Sequence, residues 1–374
     1  MVEFLDVGGE TWESLALSGD IVHMGHNCNT FELHPAINAA MVEAVTSDAY
    51  RVYTPPEGFA DLRQLMLDDV GVAGADILVT QGASEAIFQA MAALLKPGDE
   101  TIVSDPGWPH IANYARSLGS TVVPVEIYSA NTGHKLTVDR VAERMTPKTR
   151  LITVIDPLNP LGSSYGEDEI KDLVALAEAH DAYLLHDATY RDFAIGGHFP
   201  AVAYSEHAVM NISLSKICGF AGLRVGASIA APALIERIAD HQVSRLGGNW
   251  VAQQGAIAAY RTKDEWRPRV LEASRRHQAR LSECIAGIEG LKPIVDPAAG
   301  NFLAIDVTGT GVGAEAIVKA VLDRGIVIRS GGYTSDGFGD RFVRVTATVP
   351  AEHIERFCGI FPDAVAAARQ TSTG

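Results

Sequence analysis

SLSKICGFAGLRVG, residues 213–226, decides how this 374-residue chain is read. It follows the apolar, β-branched run Val209–Ile212, whose pattern predicts a buried strand. Lys216 lies among small and apolar residues, with Gly219, Gly222 and Gly226 downstream. Most other lysines sit in turns or among charges, such as Lys96 in KPGD and Lys148 in TPKTR. An apolar setting desolvates a lysine and frees its amine to act as a nucleophile. Glycines let the backbone approach a bulky ligand closely. Arg224 adds a permanent cation whose planar fork suits phosphate.

Outward from this stretch, the chain alternates short apolar runs with helical patterns. Strands are predicted at Ile77–Thr80, Thr101–Ser104, Thr121–Val125, Leu151–Ile155, Ala182–His186, Val209–Ile212 and Val225–Ala230. They are apolar on both faces, which suits strands of a sheet covered on both sides. Helical patterns intervene at Ser84–Leu95, Ile111–Leu118 and Glu167–His180, giving an α/β architecture with a mostly parallel sheet between helices. Beyond residue 232 the pattern changes. Long helical stretches are predicted at Pro232–Tyr260 and Asp264–Ile288. Strands at Asn301–Val307, Val327–Ile328 and Phe342–Thr346 follow, with helices at Ala314–Arg324 and Ala351–Ala367 and a frayed QTSTG tail. This reads as a smaller α+β domain. The expected division is 36–265 for the large domain, and 1–35 with 266–374 for the small one.

Composition narrows the function. With 30 Lys and Arg against 46 Asp and Glu, the net charge is −16, so broad binding to nucleic acid or an anionic membrane is not expected. Cys28, Cys218, Cys284 and Cys358 show neither a CxxC pair nor metal-ligand spacing, and no metal site is expected. Four cysteines in this length are no disulfide scaffold, which fits a reducing cytoplasm. MVEFLDVGGETWESLALSGD carries no secretory pattern, and no apolar run reaches the roughly 18 residues that span a bilayer.

Further segments carry chemistry. In residues 75–87, ADILVTQGASEAI, a strand, a glycine turn at Gly82-Ala83 and a helix capped by Ser84 form an anion site. Asp156-Pro-Leu-Asn159-Pro160-Leu-Gly162 is a rigid loop after a strand, which can hold the Asn159 amide towards a ligand. Leu184-Leu-His-Asp187-Ala-Thr-Tyr190 ends a buried strand with a carboxylate, costly there unless paired. Each segment also has a plain structural reading as a turn, a cap or a core residue.

In this order, and with Arg224 eight residues after Lys216, the segments resemble the aspartate-aminotransferase superfamily, the fold-type-I pyridoxal 5′-phosphate (PLP) enzymes of aminotransferase class I/II. The resemblance spans roughly residues 20–350. It implies a large domain with a mixed, mostly parallel seven-stranded sheet and a small α+β domain. It implies that Lys216 forms the Schiff base with PLP and moves the proton. Asp187 pairs with the pyridine nitrogen, and Tyr190 and Asn159 bind the ring oxygen. Ser213, Arg224 and Gly82-Ala83-Ser84 bind the phosphate, and Trp108 of Asp-Pro-Gly-Trp-Pro stacks on the ring. Tyr53, in RVYTPPEGFADLR, reaches the neighbouring subunit's phosphate, implying a homodimer with shared sites. Arg344 clamps the substrate carboxylate, with Asn159 and Gly25 beside it. Leu161 and Ala188 depart from the usual Thr and Glu of the motifs, at positions that do not bind the cofactor.

The implied reaction moves an amino group between an L-amino acid and a 2-oxo acid with ping-pong kinetics. Decarboxylation, elimination, cyclisation or oxidation of an amino acid is the alternative within the same fold. A nicotinamide oxidoreductase is a remote alternative, resting on the G-x-G-x-x-A string Gly311–Ala316. A ligand-sensing regulator would need a DNA-binding segment, and the sequence shows none. Candidate specificity residues are His26, Asn29, Trp250 and Tyr333. His23 and His26, at i, i+3, lack a third metal ligand and read as loop residues.

Overall fold

The computed structural model describes residues 6–7, 10–11, 21–242 and 244–372. Most of the N-terminal segment read for a leader therefore lies outside the described residues, as do Thr373 and Gly374.

The apolar runs form one sheet of β1 (Asp76–Thr80), β2 (Glu100–Asp105), β3 (Thr121–Glu126), β4 (Thr149–Ile155), β5 (Tyr183–Asp187), β6 (Ala208–Ser213) and β7 (Gly226–Ala230). The spatial order is β1-β7-β6-β5-β4-β2-β3. The pairs β6–β5, β5–β4, β4–β2 and β2–β3 are parallel, while β7 runs antiparallel to both of its neighbours. Every residue of β6 and β7 is buried, as doubly covered strands require. The helix Ala83–Leu94 crosses one face of β5, β6 and β7, burying Ile87, Ala90, Met91 and Leu94.

A second sheet has the order β8-β9-β11-β10, all antiparallel, from β8 (Lys292–Pro293), β9 (Phe302–Asp306), β10 (Arg329–Ser330) and β11 (Phe342–Thr346). Val22–His23 pairs in parallel with Ile326–Val327, which ties the N-terminal segment to this part of the fold. The helix Lys263–Ala286 packs on β8, β9 and the last helix.

Three expectations need correction. The stretch Pro232–Tyr260 is not one helix but two, Pro232–Ala239 and Trp250–Arg261. Between them Gly247 has φ 78° and lies so close to Thr54 and Pro55 that a Cβ would stand 2.5 Å from the Thr54 carbonyl oxygen. Asn249 then caps the second helix, its Oδ1 accepting from Ala252 N–H at 3.0 Å. Ser84 is not the cap of its helix. Gly82 holds that place with φ 83° and ψ 170°, and Ser84 falls in the first turn. The last helix runs over Ala351–Ser372, so Gln370 and Thr371 are helical, not frayed.

Gly226 is where the reversed strand meets the first helix. A Cβ there would stand 2.6 Å from Gly82 C, 2.7 Å from Ala83 N and 2.7 Å from Ile212 O, all backbone atoms that cannot rotate away. Gly226→Ala is expected to cost about 1–3 kcal/mol by overpacking, read as a lowered urea midpoint. An unchanged midpoint would contradict this reading of the contact.

Candidate active site

The C-terminal ends of parallel strands in an open sheet form a natural crevice for ligands. At this edge β1 leads into the Gly82 turn, β2 into the loop with Trp108, β4 into the loop with Asn159, β5 ends on Asp187, and β6 leads to Lys216. Because β7 is reversed, its start lies at the same edge, with Gly226 opposite both Thr80 and Ser213. Arg224, two residues upstream of Gly226, is thereby delivered to the site. Together these residues enclose a cavity of about 290 Å³.

At one end of the cavity stand Ala83 and Ser84 at the start of a twelve-residue helix, with Ser213, Ser215 and Arg224. The first N–H groups of a helix lack intrahelical acceptors and attract anions. Arg224 donates to Ala221 O at 2.8 Å, Gln81 O at 3.1 Å and Ser215 Oγ at 3.4 Å. Its φ of 58° is left-handed, a conformation that costs a side-chain-bearing residue about 1–2 kcal/mol. A Cβ on Gly82 would collide with the Arg224 guanidinium, so the absent side chain is what lets the arginine sit against the helix start.

In the middle, Asp187 lines the cavity while 5% exposed. Thr189 donates to its Oδ1 from the backbone N–H at 3.1 Å and from the hydroxyl at 2.6 Å. Burial pushes the Asp187 carboxyl up, and the Thr189 bonds oppose it. Asn27 Nδ2 donates to the Tyr190 hydroxyl at 3.1 Å. Lys216 is half-buried, less enclosed than its sequence neighbours suggested. Its Nζ donates to His26 O at 3.0 Å and lies 5.9 Å from the Tyr190 ring centre.

At the other end, Arg344 on β11 is 5% exposed and donates to Asn159 Oδ1 and, at 2.8 Å, to Gly25 O. Its register partner is Arg329 on β10, 8% exposed, whose guanidinium lies 3.9 Å from the Tyr333 ring centre. Tyr333 hydroxyl and His110 Nε2 are 2.9 Å apart. Burial, and then the Arg344 charge, push Arg329 down to about 10.

Comparison with known proteins adds to this geometry. The sequence model for aminotransferase class I and II matches residues 19–361. The chain belongs to the aminotransferase class I and II family. An arginine–pyruvate transaminase of Pseudomonas aeruginosa is 28% identical, over 87% of this chain and 84% of its own. A histidinol-phosphate aminotransferase of Moorella thermoacetica is also 28% identical, over 87% and 81%. A solved structure of a Thermus thermophilus aspartate aminotransferase single mutant shares the fold with a TM-score of 0.84, at 24% identity over 94% of each chain.

The family assignment and the fold dispose of the nicotinamide alternative. The strand before Gly311–Ala316 is β9, antiparallel to both of its neighbours, so the string is not part of a parallel βαβ unit. The start of the helix it opens is already occupied, since Asp340 Oδ1 accepts from Ala314 N–H at 2.9 Å.

Of the residues selected from sequence, Ala83, Ser84, Trp108, Asn159, Asp187, Tyr190, Ser213, Lys216, Arg224 and Arg344 line the cavity, with His26 and Tyr333. Gly82 and Gly25 act through backbone beside it. Three others lie elsewhere. Tyr53 is 76% exposed on the outer surface, Trp250 packs edge-on to Phe59, and Asn29 donates to Ile217 O at 2.8 Å. Thr189, Ser215 and Arg329 were missed. Thr two residues after Asp187 is a local side-chain hydrogen-bonding pattern, and Ser215 adjoins Lys216, so both carried a signal. Arg329 directly follows the apolar pair Val327–Ile328, where it reads as the end of a strand.

Burial pushes His26 down to about 4, aided by the charges of Arg329, Lys216 and Arg344. Between about pH 6.5 and 4 the unfolded chain therefore binds a proton at His26 that the folded chain refuses, and stability falls as the pH falls. His26→Asn is expected to flatten the loss of urea midpoint between pH 7 and pH 5. Parallel losses in both proteins would contradict this.

Proposed function

We propose that this chain is a pyridoxal-phosphate-dependent aminotransferase whose amino acid substrate carries a second anionic group. The observation that carries the reading is the lining of one cavity by Lys216, Arg224, Arg329 and Arg344, with Asp187 the sole carboxylate among the described residues that line it. The donor set fits the cofactor. Helix-start N–H groups, Ser84, Ser213, Ser215 and Arg224 suit its phosphate. Asp187 suits a protonated ring nitrogen, Tyr190 and Asn159 its ring oxygen, and Trp108 its face. When bound, pyridoxal phosphate supplies an electron sink for the pair left as the substrate Cα–H bond breaks.

The chain's own residues do the rest. Arg344, steadied by Asn159 and the Gly25 carbonyl, holds the α-carboxylate and so fixes Cα near Lys216. Lys216 Nζ takes the Cα proton and delivers it elsewhere on the reacting pair, as a general base and then a general acid. The His26 carbonyl, 3.0 Å from Nζ, gives the amine a resting acceptor. Arg329, braced by the Tyr333 ring, receives the distal anion of the substrate. Aspartate, in the name of one relative, carries such a group, whereas histidinol phosphate, in the name of another, has one anion only, a phosphate ester where an α-carboxylate would stand. The side chain of arginine, in the name of a third, is cationic and would be repelled.

The same reading assigns 36–265 to a cofactor-binding domain, and 1–35 with 266–374 to a smaller one. It also makes the active protein a homodimer. Val45, Tyr50, Val52, Tyr53 and Leu246 are exposed apolar side chains around one surface depression, a patch suited to a second copy, with Tyr53 reaching the partner's site. Four free cysteines agree with a cytoplasmic setting. Among the described residues, no helix is long and apolar enough to cross a membrane.

The test is a panel of amino donors, with a 2-oxo acid acceptor, followed by keto-acid release. Aspartate, glutamate or a phosphate-bearing donor is expected to exceed alanine, lysine and arginine in kcat/KM, and Lys216→Ala to abolish turnover. Arg329→Met is expected to lower kcat/KM for the acidic donor about 10–100-fold, the worth of one charge-assisted hydrogen bond, and to spare alanine. Ammonia or peroxide released without an acceptor would overturn aminotransfer. A preference for cationic donors would overturn the role of Arg329.

A further inference from the structure

Behind the β4 and β5 strand ends, Asp156, His186 and His198 bring three side chains to one buried point. Asp156 Oδ2 lies 3.6 Å from His186 Nε2 and 3.5 Å from His198 Nε2. The two rings stack at 4.9 Å with 19° between planes. Asp156 and His186 are fully enclosed and His198 nearly so. Three convergent ligand atoms suggest a metal, but the hydrogen bonding of His186 argues otherwise. Ala201 N–H donates to His186 Nδ1 at 3.2 Å, so Nδ1 carries no proton and the ring's proton sits on Nε2, facing Asp156. A metal ligand has the opposite arrangement, with the second ring nitrogen donating outward.

We propose that Asp156, His186 and His198 form a buried polar positioning cluster, held by charge–dipole attraction, that fixes the three segments carrying Asn159, Asp187 and Tyr190. The proposal rests on the reading of those three as the contacts to the cofactor ring. Asp156 stands three residues before Asn159, and its N–H donates to the Asp187 carbonyl at 2.9 Å. His186 is the residue before Asp187 on β5. His198 is on the loop that follows the turn Arg191–Phe193 after Tyr190. The Asp156 carboxylate serves all three segments. Oδ1 accepts from Tyr165 N–H at 3.2 Å, and Oδ2 faces both imidazoles. A carboxylate at this depth is costly unless polar groups face it, and two imidazoles face this one at 3.5 and 3.6 Å, beyond direct hydrogen bonding but close enough for charge–dipole attraction. The cluster thus ties the spacing of the strand ends to the seat of one buried charge.

The first test needs no variant. In apo protein labelled with ¹⁵N-histidine, two buried rings are expected with the proton on Nε2, and metal analysis of the purified protein is expected to find no stoichiometric zinc. Bound zinc with an unprotonated Nε2 on both rings would overturn the proposal in favour of a metal site. The second compares His198→Leu, which fills the space but donates nothing, with His198→Gln, which keeps a donor. His198→Leu is expected to weaken pyridoxal phosphate binding about tenfold and shift the absorbance maximum of the bound cofactor, and His198→Gln to restore both. Equal affinity and spectrum in all three proteins would overturn the positioning role. Failure of the parent protein itself to bind pyridoxal phosphate would instead overturn the underlying cofactor reading.

Discussion

Four cationic side chains, Lys216, Arg224, Arg329 and Arg344, face one cavity of about 290 Å³, against the carboxylate of Asp187. Holding guanidinium groups out of water is expensive unless something replaces their hydration. Here neutral dipoles largely do so. Arg344 has the Asn159 amide and the Gly25 carbonyl, Arg224 has the carbonyls of Gln81 and Ala221, and Arg329 has the face of Tyr333. Dipoles replace hydration without cancelling charge, so the cavity stays positive inside a chain of net charge −16. Burial first, and then that field, make His26 and Arg329 reluctant to hold a proton. Such a cavity is suited to anions.

The sheet topology makes this concentration possible. Parallel strands bring Asp187, Asn159, Trp108 and Lys216 to a common edge. The single reversed strand, β7, adds the residues before its start, including Arg224. Close approach at Gly82 and Gly226 lets the helix start, the arginine and the strand end share a space that Cβ atoms would fill. The antiparallel sheet then contributes Arg329 and Arg344 side by side. The parallel sheet's edge supplies the half-buried Lys216 and Arg224, and the antiparallel sheet supplies Arg329 and Arg344 held out of solvent.

Much of this was legible in the sequence. All seven strands were located within a residue or two: six are largely buried and leave apolar runs, while the edge strand β3 is mostly uncovered and was found by its β-branched valines. The local motifs around Lys216, Asp187, Asn159 and Gly82 marked the cavity because each lies at or soon after the end of a strand. What escaped was set at long range. The break at Gly247 comes from contact with Thr54 and Pro55, nearly 200 residues earlier. Arg329 acquires meaning only beside Arg344, across a strand pair. Asp156, His186 and His198 come from three separate segments, so no spacing announces them.

In the proposed function, Lys216 is the amine that engages the cofactor. Borohydride reduction of the protein after incubation with pyridoxal phosphate, followed by peptide mass mapping, tests this directly. The pyridoxyl group is expected on the peptide that contains Lys216 and on no other at stoichiometric yield. A modification centred on a different lysine, or spread evenly over the surface lysines, would contradict it.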